Sequence, residues 1–175
     1  FVHLTGDEIV SGSKTFTSNT IISGSLAQGI NTVAVGLNSH TEGDSTKTTN
    51  AALHSHAEGQ STTARGVGSH TEGLNTSSFG GHSHAEGNQT TASGDYSHSE
   101  GSLSAAKEIG SHTEGFATET LGSYSHAEGQ FALARGNYSH AEGDSTETKG
   151  DYSHAAGSNT IADRTAAFAA GKYNR

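Results

Sequence analysis

Along most of the chain, small or apolar residues alternate with polar ones at a period of two. They do so in five-residue runs that end on Gly and are followed by two turn-forming residues. Ser55-His56-Ala57-Glu58-Gly59 is one kind of run, and Thr62-Thr63-Ala64-Arg65-Gly66 is the other. A period of two sends successive side chains to opposite faces of a strand. Gly among polar neighbours supplies a reversal. A helix fits poorly, because a Gly at nearly every seventh position would cost about 1 kcal/mol each time. The pattern predicts short strands joined by tight turns.

The runs repeat. The phrase Ser-His-x-Glu-Gly begins at Ser39, Ser55, Ser69, Ser83, Ser97, Ser111, Ser125 and Ser139, and a ninth copy at Ser153 has Ala156 in place of Glu. Each step is 14 residues except the first, which is 16, so two extra residues are expected in a turn between Thr46 and His54. One repeat reads as one coil of strand, turn, strand and turn. Coils stacked about 4.8 Å apart would form an all-β parallel solenoid about 45 Å long.

Composition changes the picture in one respect. Only 30% of the 175 residues are hydrophobic, Gly accounts for 24, and Pro, Cys, Met and Trp are absent. Low hydrophobicity with a net charge of -9 ordinarily indicates disorder. A strict period argues otherwise, since repeated units bury surface against each other. Without Cys there is no disulfide or thiolate metal site. No apolar run is long enough to span a membrane, and no signal peptide is visible. The absence of Met suggests a piece of a longer chain. The acidic balance argues against nucleic-acid binding, which needs a basic face.

The two faces of each coil differ. Ser, Ala, Thr and Gly are expected inside, because two sheets built from a 14-residue coil lie close together. Such an interior contributes only about 1 kcal/mol or less per Ala, so another surface should be buried against a partner. On the second strand the outward pairs vary, as in Ser77 with Phe79, Glu119 with Leu121 and Leu133 with Arg135, which is how a solvated face behaves. On the first strand they do not vary. His40 with Glu42, His56 with Glu58, His70 with Glu72, His84 with Glu86, His98 with Glu100, His112 with Glu114, His126 with Glu128 and His140 with Glu142 occupy the same two positions. His154 and Phe168 continue the column. A repeated partner surface explains this constancy, so these residues are expected to meet identical copies of the chain in a homotrimer, with His donating to Glu across chains. Val33 and Val35 put an apolar pair on the variable face, and Phe168 with Ala170 put one on the His and Glu face. Both pairs are expected to cap the rod's ends.

Asn31-Thr-Val-Ala-Val-Gly-Leu-Asn-Ser-His-Thr-Glu-Gly43 resembles the Asn-Ser-Val-Ala-Ile-Gly-x-x-Ser-x-Ala-x-Gly repeat of the YadA-like heads of trimeric autotransporter adhesins. The later Ser-His-Ala-Glu-Gly coils are similar to the variant found in bacteriophage tail-fibre proteins. The resemblance covers residues 29–171 and implies a left-handed parallel β-roll, three chains side by side, and a surface-binding role. Residues 1–28 are set apart as a connector. Within it, Phe1 to Ser18 resembles a tail-fibre module of the form His-Leu-x-Gly-x-Glu-x-Ile-x-Gly-x-Lys-Thr-Phe, with Val10 and Ser11 shifting the pattern. Residues 172–175 are read as the start of a connector, since Ala167 to Asn174 resembles the junction before a C-terminal chaperone or self-cleaving domain. The resemblance implies a place in a virion tail or, alternatively, on a bacterial cell surface, with a host-cell receptor or glycan as a further partner.

His and Glu two residues apart can serve acid–base catalysis, but nine copies with no singular nucleophile argue against an enzyme. No cofactor is expected. His54-x-His56 and His82-x-His84 place imidazoles on one face if the strand continues through them, and three chains would then offer six nitrogens to a transition metal. Alternatively, His54 and His82 sit in turns. Calcium lacks the Asp-rich turns it needs. Tyr96, Tyr124, Tyr138 and Tyr152 recur just before the Ser-His phrase and are read as packing rather than glycan-binding residues. If His and Glu pair across chains, the His pKa is expected to rise and the Glu pKa to fall on assembly.

Overall fold

The computed structural model describes residues 24–174; the module read at Phe1 to Ser18 lies outside the described residues. Among the described residues there is no helix, and so none long and apolar enough to cross a membrane. The chain forms a parallel β-solenoid with one sheet of 11 strands and one of 10, each strand pairing with the next but one in sequence. The first sheet carries the His and Glu pairs and is called here the histidine sheet. It begins with Leu26–Ile30, which takes in three residues assigned above to the connector, and ends with Phe168–Lys172. The second, variable sheet runs from Val33–Ala34 to Ile161–Ala162.

Register follows the sequence period. His112 lies opposite His126, Glu114 opposite Glu128 and Gly115 opposite Gly129. The 16-residue step is absorbed without loss of register, because His40 still faces His56 and Lys47 faces Thr63. The extra length sits in the turn at Thr49 to Ala52, closed by the Ala52 amide donating to Thr49 O at 2.9 Å. Strands of the variable sheet are shorter than expected, at two residues each, as in Thr63–Ala64. The rest of each second run bends into the turn.

The interior is as thin as the composition requires. Every buried apolar side chain among the described residues is Ala, and the largest fully buried side chains are Thr. The Ser of each repeat from Ser55 to Ser153 has a specific task there. Its Oγ donates to the carbonyl three residues earlier, as in Ser69 to Gly66 at 2.8 Å, Ser83 to Gly80 at 2.7 Å and Ser139 to Gly136 at 2.7 Å. This bond satisfies a carbonyl that leaves the ladder at the turn.

The Gly that ends each Ser-His-x-Glu-Gly run is fixed by backbone geometry. Gly129 has φ of 104°, and a Cβ there would run into the carbonyl oxygen of Gly143 on the next coil. The same obstacle recurs in the column from Gly29 to Gly157, and only Gly171, at the end of the stack, has open space beside it.

Candidate functional site: the histidine–glutamate ladder

Stacked strands bring each outward side chain over its counterpart one coil away. Nine imidazoles, from His40 to His154, form a continuous ladder with centroid separations of 4.6–4.9 Å and interplanar angles of 1–17°. Phe168 closes it edge-on to His154 at 5.2 Å, and 70% of Phe168 stays exposed. The carboxylates of Glu42 to Glu142 form a second column beside the first. Within a coil, His Nε2 and Glu Oε lie 3.4–3.9 Å apart. Glu128 and Glu142 also reach the imidazole of the following coil, at 3.4 Å to His140 and 3.6 Å to His154.

These separations do not amount to hydrogen bonds. Nε2 of His56, His70, His84, His98, His112, His126, His140 and His154 is out of contact with water and has no hydrogen-bond partner. Only His40 finds one, Gln28 Oε1 at 3.2 Å. The side chains themselves are about one-third exposed, so this face is neither core nor open surface.

Within one chain the electrostatics run the other way from the shifts expected on assembly. Burial, and then the imidazoles on either side, hold His56, His84 and His126 below the ordinary value, His126 at about 4. Burial and the His98 imidazole do the same to His112. Glu58, Glu86 and Glu128 are pushed up, first by burial and then by neighbouring carboxylates. The cause is geometric. The nearest ionisable groups along each column are of the same kind, so like faces like while both lose water. The contacts that His56, His84, His112 and His126 make with Glu are therefore disfavoured as ion pairs.

The turn histidines take a different path. His54 and His82 have φ of 57° and 55°, a left-handed turn conformation that breaks the strand alternation. His82 stacks on Tyr96 at the coil edge, 5.5 Å away, while His84 sits in the ladder between His70 and His98. The shared face that His54-x-His56 and His82-x-His84 required is not formed. Tyr124, Tyr138 and Tyr152 occupy the same left-handed turn position and stack in a row, Tyr124 on Tyr138 at 5.3 Å and Tyr138 on Tyr152 at 5.1 Å. Their ring faces are thereby turned to each other, as the packing reading expected.

The variable sheet bonds differently. Lys107 pairs with Glu119 and Arg135 with Glu147 across neighbouring coils, the latter at 2.7 Å, and Arg65 lies over the Phe79 ring at 4.8 Å. Val33 and Val35 stand half-exposed at the first coil of this sheet.

A family model described as the YadA head domain repeat matches in two copies, at residues 27–46 and 72–97. No curated protein matches the chain. The two matched segments fall on coils of the same stack, in register with coils that repeat their Ser, His and Gly positions. At these two stretches the roll carries YadA-like head repeats, and the neighbouring coils share their strand register.

Proposed function

We propose that the chain is a structural and adhesion segment of a trimeric fibre, in which three rolls pack through their histidine sheets around a common axis. The trimer-facing residues are the ladder from His40 and Glu42 through His140 and Glu142, with His154 and Phe168 at its end. The observation that carries this reading is the set of eight buried, unpartnered Nε2 atoms aligned on one outward face. A buried polar atom without a partner costs about 1–3 kcal/mol, so this face is poorly suited to be a final surface. The all-Ala apolar interior points the same way, because it leaves little else to stabilise a lone coil stack.

Two owners fit such a fibre. The tail-fibre-like motif of Phe1 to Ser18 supports a bacteriophage fibre or receptor-binding protein in a virion tail. The family match supports the head of a bacterial surface adhesin. Coding sequence beside this gene separates them, tail genes favouring the first and an outer-membrane anchor the second. In either setting the variable sheet and the coil-edge turns are the surfaces left to meet a host receptor or glycan. The assembly itself is tested by sedimentation equilibrium. A mass three times the 17.8 kDa of the chain is expected, and a folded species at the mass of one chain overturns the trimer.

A further inference from the structure

The same nitrogens that mark the ladder as an unfinished surface also form, with the carboxylates beside them, a donor set within one chain. Between successive imidazoles stands one carboxylate. His56, Glu58 and His70 each offer a ligand atom within 4.8 Å of the other two, as do His84, Glu86 and His98, and His112, Glu114 and His126. The best-resolved instance lies one coil further on. There Glu128 places one oxygen 3.9 Å from Nε2 of His126 and the other 3.4 Å from Nε2 of His140. Two nitrogens and a carboxylate oxygen around a zinc ion lie about 3.3 Å apart when the bonds are about 2.0–2.1 Å. The nitrogen-to-oxygen spacings are slightly wider than that, and the two stacked rings stand 4.7 Å apart, centre to centre, so both imidazoles must tilt toward the ion to close the shell.

A second observation points to a ligand. The same Nε2 atoms are dry and have no hydrogen-bond partner. Each is shielded among side chains of its own ladder without being satisfied by them. A cation between imidazole and carboxylate would satisfy the nitrogen and relieve repulsion along the carboxylate column in one step. Two imidazoles and one carboxylate per ion select a borderline transition metal over calcium or magnesium, which prefer all-oxygen shells.

We propose that the histidine–glutamate ladder is a linear array of divalent transition-metal sites, each ion held by two imidazoles of successive coils and the carboxylate between them. Adjacent sites compete for a shared imidazole, since His98 belongs both to the set with Glu86 and to the set with Glu100. Ions therefore occupy alternate layers. All three ligands come from one chain, so the array stands whether or not three copies assemble.

The test is zinc content and mass measured on the same samples. The full chain is stripped with chelator, dialysed against low-micromolar zinc, and assayed by elemental analysis and sedimentation. About four zinc ions per chain are expected, from alternate filling of tetrahedral N/O sites. Replacing His84, His98, His112 and His126 with Asn is expected to remove about half of them, whereas Glu119→Gln with Glu147→Gln on the variable sheet should leave the count unchanged. Should the Asn variant fail to fold, the zinc absorption edge of the unmodified chain decides, with imidazole scattering expected in the shell. Less than one zinc per chain, a count indifferent to loss of the imidazoles, or a shell of oxygen alone overturns the array. A zinc-free trimer overturns the array but keeps the trimer. A zinc-loaded single chain does the reverse.

Discussion

The two sheets of the roll share one coil length, one strand spacing and one interior, yet they treat the coil-to-coil contact in opposite ways. On the variable sheet, neighbouring coils place complementary groups together, as in Lys107 with Glu119, Arg135 with Glu147 and Arg65 over Phe79. On the histidine sheet, imidazole lies over imidazole and carboxylate over carboxylate for coil after coil. A solenoid that answered only to its own stability would be expected to use the first arrangement on both sides. Persistence of the second, at the cost of dry unpaired nitrogens, is the ground for proposing that the histidine sheet answers to something beyond its own chain.

The largest effect should come from breaking what the two sheets share. Gly129→Val would strain a backbone at φ 104° and drive a side chain into the Gly143 carbonyl. A loss of about 3 kcal/mol or more is expected, equivalent to a Tm lower by about 10 °C, measured by circular dichroism. A neutral result would mean that the coils do not stack as described.

An intermediate effect, confined to the histidine sheet, should come from pH in metal-free buffer. The lowered histidines make the unfolded chain take up protons that the ladder refuses, so stability is full above about pH 6.5 and declines as pH falls toward about 4. The raised glutamates act in the other direction. They protonate earlier in the folded ladder, which returns part of the stability as pH falls through their raised values toward the ordinary carboxylate range. Tm is therefore expected to drop by several degrees, at about 2–4 °C per kcal/mol, between about pH 7.5 and pH 5.5, and to flatten below that. Interchain His–Glu ion pairing as the dominant force would reverse the sign, with Tm rising over the same interval.

The smallest effect belongs to the variable sheet. Glu147→Gln removes the partner of Arg135 and Lys149, two half-exposed cations, and a loss within about 1 kcal/mol is expected from thermal melts. A larger loss would erase the contrast between the sheets.

Much of the architecture was legible because the period is written in side chains whose geometry is demanding. Gly129 and its equivalents mark where no Cβ fits, and the spacing of the Ser-His phrase fixes the register, including the insertion taken up at Thr49 to Ala52. Strand alternation correctly separated the Ala and Thr interior from the His and Glu face. The turns were harder to read. His54 and Tyr124 adopt left-handed backbone, which a run of alternating residues does not announce, and so the His54-x-His56 pair dissolved. The pKa shifts within one chain were harder to read for a different reason. His and Glu were weighed as partners across chains, whereas the closest relation within a stacked coil is between residues 14 apart, which here are identical. The identity of His126 and His140 across one repeat was the signal. The Ser Oγ bond to the preceding turn carbonyl, as in Ser69 to Gly66, likewise needed the backbone to be seen.

The histidine sheet, and not the variable sheet, is proposed to face other copies of the chain. The sequence has no Cys, so a single introduced thiol reports on one face only. Glu114→Cys and Glu119→Cys lie in neighbouring strands, His112–Phe116 and Glu119–Thr120, on opposite sheets of the roll. Treated with a short bifunctional maleimide in native buffer, Glu114→Cys is predicted to cross-link between chains and Glu119→Cys to remain a single chain on a denaturing gel. Cross-linking at position 119 with none at position 114 would contradict the account.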